Sequence, residues 1–277
     1  MTITSFELAD GITIGGGARP VYIAGPCVIE SRDFLLDVAG SVKEIADRHG
    51  VPLVFKSSFD KANRSSESSF RGIGEEAGLD ALDEVKKQSG LPVITDVHQP
   101  GQAISAAEVV DVLQVPAFLC RQTDLLHACG ETGVPVNVKK GQFVAPEDMA
   151  NVVEKIAATG NERVVLTERG STFGYHNLVV DMRSFPTMRR FAPVVFDTTH
   201  SLQLPGGLGH ATGGAREFHP YLARAAAGAG VDGFFIEVHP NPPEALSDAT
   251  TQLSFDEFDR LVGQLEALAS TVREMTR

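Results

Sequence analysis

PLVFKSSFDKANRSS (52–66) joins a short apolar run to a group of cations and hydroxyl side chains. The run is continuous rather than alternating, which is typical of a parallel strand covered on both faces. Polar and cationic residues begin where this strand should end; they are Lys56, Lys61, Asn63, Arg64, Ser65 and Ser66. Lysine, arginine and hydroxyl groups together suit a bound phosphate. The stretch therefore predicts a buried strand that presents an anion site in the loop after it.

Apolar runs of this kind recur along the chain. They are PVYIAG (20–25), PLVFK (52–56), PVITDV (92–97), DVLQV (111–115), PVNVK (135–139), RVVLT (163–167), PVVFD (193–197) and GFFIEV (233–238). Segments with helical periodicity lie between them. Eight strands alternating with helices, at roughly 30 residues per unit, predict an α/β fold of the (β/α)8 TIM-barrel type. A doubly wound open sheet is the alternative, but the strand count and the lack of a glycine-rich dinucleotide motif favour the barrel.

Local signals define the elements at both ends of the chain. FELADGITIGGG (6–17) alternates around an Asp-Gly pair, which predicts an N-terminal β-hairpin that caps one end of the barrel. PEDMANVVEKIAAT (146–159) has proline near its start, glycine after its end and one apolar face, so it predicts a helix. Ser254 and Glu257 stand at capping-box spacing ahead of the last helix. No linker-like tract divides the chain, which predicts a single barrel domain over residues 1–277.

Composition excludes several classes of protein. The chain has 277 residues, 43% of them hydrophobic, and a formal net charge of -12. Such an acidic chain is not expected to bind nucleic acid or an anionic membrane surface. It has no apolar run of about 18 residues, and its first residues lack a signal-peptide pattern, so we expect no membrane span. Its cysteines, Cys27, Cys120 and Cys129, are an odd and small set, which argues against a disulfide framework and for a cytoplasmic location.

A TIM barrel carries its active site at the carboxyl ends of its strands, and cations gather near those ends here. They are Lys56, Lys61, Arg64, Arg121, Lys139 and Arg169. So many cations exceed the need of one phosphate, and they suggest two phosphates, or a phosphate and a carboxylate. An unpaired buried cation is costly, so we assign Lys56 and Lys139, which end apolar runs, to the site. For Lys140 and Arg71, a solvated loop position is an equal alternative.

A second group of side chains suits a metal ion. It comprises Cys27, His200, Glu237 and Asp248. The first three lie at the ends of strand runs one, seven and eight, which are neighbours in a closed barrel. A thiolate, an imidazole and two carboxylates suit a divalent ion such as Fe²⁺, Mn²⁺ or Zn²⁺. The residues alone leave alternatives open, because a cysteine at a strand end is often simply buried, and His98 and His239 compete with His200.

The glycine-rich segment LPGGLGHATGGAR (204–216) follows the seventh run. It predicts a lid over the site, at about 201–216, in which glycines act as hinges. A plain flexible connection is the alternative.

Seven segments resemble the 3-deoxy-D-manno-octulosonate 8-phosphate synthase family, and the resemblance covers essentially the whole chain. They are FKSSFDKANRSS, ITDVHQP, DVLQVPAFLCRQTDL, NVKKGQF, ERGSTFGYHNLVVDM, FDTTHSLQ and FIEVHPNP. The resemblance implies a (β/α)8 barrel, a homotetramer, and condensation of phosphoenolpyruvate with D-arabinose 5-phosphate and water. The products would be inorganic phosphate and 3-deoxy-D-manno-octulosonate 8-phosphate, which feeds lipopolysaccharide biosynthesis.

The resemblance also implies roles for individual residues. Phosphoenolpyruvate would be held by Lys56, Lys61, Lys139 and Arg169, and arabinose 5-phosphate by Asn63, Arg64 and Ser65. Arg121 would reach the sugar phosphate of a neighbouring subunit, and Asp96 and Gln114 would line the pocket. The residues implied in catalysis are Cys27, Lys139, His200 and Asp248.

The family has a metal-dependent branch, which this chain resembles in two places. The other branch has asparagine where this chain has Cys27 in AGPCVIES, and Asp248 lies in SDATTQL. The resemblance therefore implies the metal ligands Cys27, His200, Glu237 and Asp248, with His200 preferred over the other histidines. Many relatives have two arginines after the paired glycines, where this chain has Ala215-Arg216, and this departure leaves the role of Arg216 open.

Two other functions stay as alternatives. Phospho-2-dehydro-3-deoxyheptonate aldolase uses erythrose 4-phosphate, and it often shows Lys-Pro-Arg-Thr where this chain has Lys61-Ala62-Asn63-Arg64. A barrel that binds sugar phosphates without catalysis is the second alternative. The intact cations and the metal-type residues argue against it.

Overall fold

Eight parallel strands close into a barrel in this computed structural model, which describes residues 4–63, 69–205 and 213–276. In chain order the strands are β1 (Ser5–Ala9), β2 (Ile12–Gly15), β3 (Val21–Gly25), β4 (Leu53–Lys56), β5 (Val93–Asp96), β6 (Val112–Val115), β7 (Val136–Lys139), β8 (Val164–Glu168), β9 (Val194–Asp197), β10 (Gln203–Leu204), β11 (Gly213–Gly214) and β12 (Gly233–Glu237). Strands β3 to β9 pair in chain order, and β12 closes the ring between β9 and β3. Every residue of these eight strands is buried, as the continuous apolar runs predicted.

Helices surround the barrel. They are α1 (Arg32–His49), α2 (Glu75–Ser89), α3 (Pro100–Ala107), α4 (Thr123–Glu131), α5 (Met149–Ala157), α6 (Ser184–Met188), α7 (His219–Gly228) and α8 (Phe255–Thr276). Short 3-10 turns lie at Ala117–Leu119, Pro146–Asp148, His200–Leu202, Arg216–Phe218 and Pro242–Glu244. Helix α1 shows the local signals: the Phe34 amide donates to the Ser31 hydroxyl at its start, and Gly50 ends it with a φ of 60°. Among the described helices, none combines the length and the apolar character needed to cross a membrane.

The N-terminal hairpin closes the bottom of the barrel. β1 and β2 pair antiparallel, and Leu8 and Ile14 of the hairpin pack against side chains inside the barrel. These interior residues are Val21, Ile23, Val54, Ile94, Val112, Val165, Val195 and Phe235. An apolar plug at this end leaves the polar side chains to gather at the other end, where the strands terminate.

The structure confirms the barrel and the hairpin that the sequence predicts. Each barrel strand begins and ends within one residue of its predicted run. The helix predicted over 146–159 begins with a 3-10 turn at its proline, and only Met149–Ala157 is α-helical. The capping box is confirmed, because the Ser254 amide donates to Glu257 at 2.8 Å and the Glu257 amide donates to the Ser254 hydroxyl at 3.3 Å.

The predicted lid is described only at its two ends. Residues 206–212 lie outside the described residues, so the lid stays a prediction. β10 pairs antiparallel with β11, which brings the two ends of the segment together. Arg216 donates to the Glu257 carboxylate, so its guanidinium is held at the start of α8.

Candidate active site

A buried aspartate organises the centre of the site at the carboxyl ends of the strands. Asp197 ends β9 and accepts hydrogen bonds from Lys139 at 2.5 Å and from His200 Nδ1 at 2.7 Å. Lys139 ends β7, and its ammonium lies 3.4 Å from the centroid of the Phe235 ring. The sequence analysis did not assign Asp197 to the site. The signal available was its place three residues before His200, in the sequence FDTTH.

The four side chains proposed as metal ligands meet beside this aspartate. Cys27, His200, Glu237 and Asp248 each offer one ligand atom, and these atoms all lie within 4.8 Å of one another. Asp248 Oδ2 lies 3.3 Å from the Cys27 sulfur and 3.5 Å from His200 Nε2, and Glu237 Oε2 lies 3.4 Å from the same nitrogen. Asp248 has a φ of 49°, a left-handed conformation that non-glycine residues rarely adopt and that often marks functional sites.

This donor set fits a divalent metal ion. Glu237 Oε2 is buried without a hydrogen-bond partner among the described residues, although its other oxygen accepts from Lys56 at 2.6 Å. A buried carboxylate oxygen without a donor is costly, and a cation would satisfy it. His200 bonds Asp197 through Nδ1, which leaves Nε2 directed at the other candidate ligands. Metal-binding histidines commonly bond a carboxylate through their second ring nitrogen in this way, which fixes the orientation of the ring. One sulfur, one nitrogen and two oxygens suit Fe²⁺, Mn²⁺ or Zn²⁺.

Neighbouring side chains hold the candidate ligands in place. Cys27 Sγ lies 2.8 Å from the Ser247 hydroxyl, and the Cys27 amide donates to Gln252 at 3.2 Å. Gln252 in turn donates to the Ser247 carbonyl at 2.8 Å. Gln203 donates to Asp248 Oδ1 at 3.1 Å. Ser247 and Gln252 thus join the loop after β3 to the segment after β12, and Gln203 of β10 contacts the same segment. The sequence analysis did not single out these three residues.

Burial and neighbouring charges shift the pKa values of these groups. Burial, together with Glu237, raises the pKa of the Cys27 thiol above its usual value. Burial opposes a charged His200, but Asp197 and Glu237 outweigh it and raise the pKa of this imidazole to about 10. Burial likewise opposes a charged Asp248, whose pKa is nevertheless lowered by His200. Without a metal ion, these carboxylates and a protonated His200 balance one another. A bound metal ion would replace the proton on Nε2, because a ligating imidazole is neutral.

Besides Lys139, three cations lie around the group, and each has a different environment. Lys56 is fully buried and bonds Glu237 and the Cys27 carbonyl, at 2.6 and 3.0 Å, so its charge is balanced within the candidate metal group. Lys61 donates to the Ser58 hydroxyl at 2.8 Å and lies 3.6 Å from Asp96.

Arg169 donates to Gln203 through Nη2 at 2.5 Å, whereas its Nη1 is buried with no partner among the described residues. Burial lowers the pKa of this guanidinium from its usual value. An unmatched buried donor next to other cations is what a bound anion would satisfy.

A line of hydrogen bonds crosses the interior of the barrel next to Lys61. Asp96 accepts from Ser58 and from Gln114. Asn137 donates to the Gln114 side chain at 2.8 Å, and Thr167 donates to Asn137 at 2.7 Å. The structure thus places Asp96 and Gln114 at the same end of the barrel as the cations.

The remaining residues of the sequence analysis fall into three cases. Asn63 is exposed, whereas Arg64 and Ser65 lie outside the described residues. Arg121 is exposed and lines a separate cavity of about 370 Å³. The solvated position considered for Lys140 is wrong, because this side chain is 1% exposed. The sequence could not show this, since a lysine after a strand end can face either loop or core.

The other histidines do not join the group of candidate ligands. His239 Nε2 lies 3.4 Å from Glu30, and the His98 ring packs edge-on against Phe59. Arg71 fits the solvated alternative, because its exposed side chain pairs with Asp60 at 2.6 Å.

Comparison with known proteins identifies the family to which the chain belongs. The family model described as the DAHP synthetase I family matches residues 2–274. A protein named 2-dehydro-3-deoxyphosphooctonate aldolase from Desulfatibacillum aliphaticivorans is 56% identical over 265 residues, which cover 95% of this chain and 97% of that protein. Proteins of the same name from Trichlorobacter lovleyi and Nitratidesulfovibrio vulgaris are 55% and 57% identical. They cover 96% and 91% of this chain, and 99% and 93% of their own length.

Proposed function

The chain belongs to the DAHP synthetase I family, and we propose that it condenses phosphoenolpyruvate with D-arabinose 5-phosphate and water. The products are 3-deoxy-D-manno-octulosonate 8-phosphate and inorganic phosphate, the former an intermediate of lipopolysaccharide biosynthesis. The family description names the heptulosonate enzyme, but the relatives that are more than half identical over nearly the full chain carry the octulosonate name. This agreement favours the five-carbon sugar phosphate over erythrose 4-phosphate.

The observation that carries the proposal is that nearly buried cations lie against the group of candidate metal ligands at one end of the barrel. Lys61, Lys139 and Arg169 are all nearly buried there, and each lies within a network that reaches Asp197, Asp96 or Asp248. Phosphoenolpyruvate carries a phosphate and a carboxylate, so it needs several cations in fixed positions. We assign its anionic groups to these three residues, with Lys56 behind them to balance Glu237.

Sugar recognition is assigned to the loop after β4. Asn63, Arg64 and Ser65 would bind arabinose 5-phosphate, with Asp96 and Gln114 on the pocket wall. Arg121 is exposed and lies in another cavity, so it would serve the pocket of a neighbouring subunit in a homotetramer. This assembly is part of the proposal.

The chemistry places demands on the residues at the centre. Carbon 3 of the enol forms a bond to the aldehyde carbon, water adds at carbon 2, and the carbon–oxygen bond to phosphate then breaks. Burial lowers the pKa of Lys139 despite the opposing charge of Asp197, so this ammonium releases a proton more readily than an exposed lysine. We assign it to stabilise the anions and to protonate the departing phosphate.

Cys27, His200, Glu237 and Asp248 would hold a divalent ion of the Fe²⁺, Mn²⁺ or Zn²⁺ type. Such an ion would supply Lewis-acid chemistry toward the sugar aldehyde or toward water. Asp197 bonds His200 through Nδ1 and so fixes the imidazole ring with Nε2 directed at the other candidate ligands. The three cysteines are all buried and free, which fits a reducing compartment, and we place the enzyme in the cytoplasm.

Phosphate release from phosphoenolpyruvate with either sugar phosphate tests the function. We expect kcat/KM with arabinose 5-phosphate to exceed that with erythrose 4-phosphate by at least about a hundredfold, because polar groups built for one sugar are left unpaired by a shorter one. Arg169→Lys should raise KM for phosphoenolpyruvate by about tenfold or more, since lysine lacks the planar fork. Arg183→Lys, at an exposed arginine paired with Asp181, is the matched control and should leave KM unchanged.

Faster turnover with erythrose 4-phosphate would assign the chain to the heptulosonate reaction instead. No phosphate release with any aldose phosphate would favour a barrel that binds sugar phosphates without catalysis.

A further inference from the structure

We infer that Lys140 and Glu168 form a buried clamp that positions Lys139 and Arg169 for phosphoenolpyruvate, an inference that rests on the proposed function. The two residues are sequence neighbours of the two site cations, and their side chains are 1% and 2% exposed. Their charged atoms lie 3.5 Å apart. In the proposal they do not touch substrate, so they are positioning residues.

The Lys140 ammonium joins two loops. It donates to the Gly141 and Val144 carbonyls at 3.4 Å each, in the loop after β7. It also donates to the Gly170 carbonyl at 3.3 Å and to the Ser171 hydroxyl at 3.1 Å, in the loop after β8. One buried charge therefore fixes the end of the strand that carries Lys139 and the end of the strand that carries the other site cation.

Glu168 holds the backbone on the far side of Arg169. Its Oε1 accepts from the Gly170 amide at 2.6 Å, while the Gly170 carbonyl accepts from Lys140. Both polar atoms of Gly170 are thus bound to the pair. Gly170 has a φ of 89°, which a residue with a side chain rarely adopts, so the chain turns sharply directly after Arg169.

Successive side chains of a strand point to opposite sides, and this separates the two functions. Lys139 points to Asp197 and the Phe235 ring, whereas Lys140 points into the loops. The pair can therefore set the direction of the site cations without entering the pocket. A displacement of about 1 Å in groups that orient a substrate can reduce a rate by about a hundredfold.

A pair that only stabilises the fold would give a different pattern. Its loss would lower the melting temperature but leave the kinetics of the folded protein unchanged. The partly buried pair of Arg189 and Asp232, whose side chains are 20% and 4% exposed, is the matched control. Its charged atoms lie 2.8 Å apart, and Asp232 also accepts from the Val194 amide at the opposite end of the barrel. It lies among no site residues.

The test compares Lys140→Met/Glu168→Gln with Arg189→Met/Asp232→Asn, at a temperature where circular dichroism shows both folded. Removing both charges of each pair avoids an unpaired buried charge. For the first variant we expect KM for phosphoenolpyruvate to rise by about tenfold or more, with KM for arabinose 5-phosphate within about twofold of wild type. The control should melt lower but keep both KM values.

Calorimetric measurement of phosphoenolpyruvate binding, without sugar, tests the clamp separately from the proposed reaction. Weaker binding by the first variant supports the clamp even if the wild type fails to turn over arabinose 5-phosphate. A wild type that turns over while the folded first variant binds and reacts normally overturns the clamp and leaves the function standing. If that variant does not fold, Ser171→Ala decides: a rise of about threefold in KM for phosphoenolpyruvate supports the clamp, and no change overturns it.

Discussion

Acidification should destabilise the protein through His219, the first residue of α7. This side chain is 2% exposed, and its Nε2 lies 2.6 Å from the Thr251 carbonyl. Burial, with Arg216 nearby, lowers the pKa of His219 from 6.5 to about 4. The folded state keeps the imidazole neutral over a range in which the unfolded chain binds a proton. Stability is therefore complete above about pH 6.5 and falls as the pH drops toward 4.

The size of the effect follows from the two pKa values. Between about pH 7.5 and about pH 5, protonation of this one group should lower the free energy of unfolding by about 2 kcal/mol, and by about 3 kcal/mol once the pH is well below 4. His219→Gln is the comparison, because glutamine can donate to the Thr251 carbonyl but does not titrate near these pH values.

Urea unfolding of both proteins at the two pH values measures this difference, and the pH titration of the imidazole resonance gives the pKa directly. Other groups also titrate in this range, so the quantity of interest is the wild-type loss minus the loss of the variant. We expect about 2 kcal/mol for it. Equal losses in both proteins, or an imidazole that titrates near pH 6.5, would refute the reasoning.

Three further substitutions test the site and the fold. Cys27→Ala should weaken Mn²⁺ or Fe²⁺ binding by at least about a hundredfold, as read by metal content after dialysis, since even outer-shell partners are worth 10–100-fold; unchanged metal content would exclude Cys27 as a ligand. Ser254→Ala should cost about 1 kcal/mol of unfolding free energy through the lost bond to Glu257, and a thermal melt identical to wild type would contradict it. Gly25→Ala should cost roughly 3 kcal/mol or more, because the new Cβ would lie 2.0 Å from the Lys56 carbonyl at a φ of 155°; a normal melting temperature would show that the strand can shift.

The fold could be predicted from the sequence because every barrel strand is a continuous apolar run with polar residues at its end. Burial on both faces requires apolar residues at consecutive positions, so each strand can be recognised from its own run alone. Helix α5 shows the limit of local signals: proline marks the start of the helical segment, but a 3-10 turn separates it from Met149.

The group of candidate metal ligands could be predicted from the sequence, whereas the contacts around it could not. Cys27, His200, Glu237 and Asp248 were named from strand ends and resemblance, and the structure brings them together. Lys56 binds Glu237, which lies 181 positions away, so no local pattern could pair them.

Two further residues show the same limit. Asp197 was missed because its role depends on the turn that brings His200 back onto it. Lys139 and Lys140 are adjacent lysines that point to opposite sides of the chain. The sequence alone does not show which of the two faces the site.

The most direct test of the account is inorganic phosphate release from phosphoenolpyruvate before and after chelation, with each sugar phosphate in turn. The account predicts release that requires arabinose 5-phosphate, stops on chelation and returns with Mn²⁺ or Fe²⁺. Full activity of the metal-stripped protein would contradict the metal site. Release that is as fast with erythrose 4-phosphate would contradict the proposed substrate.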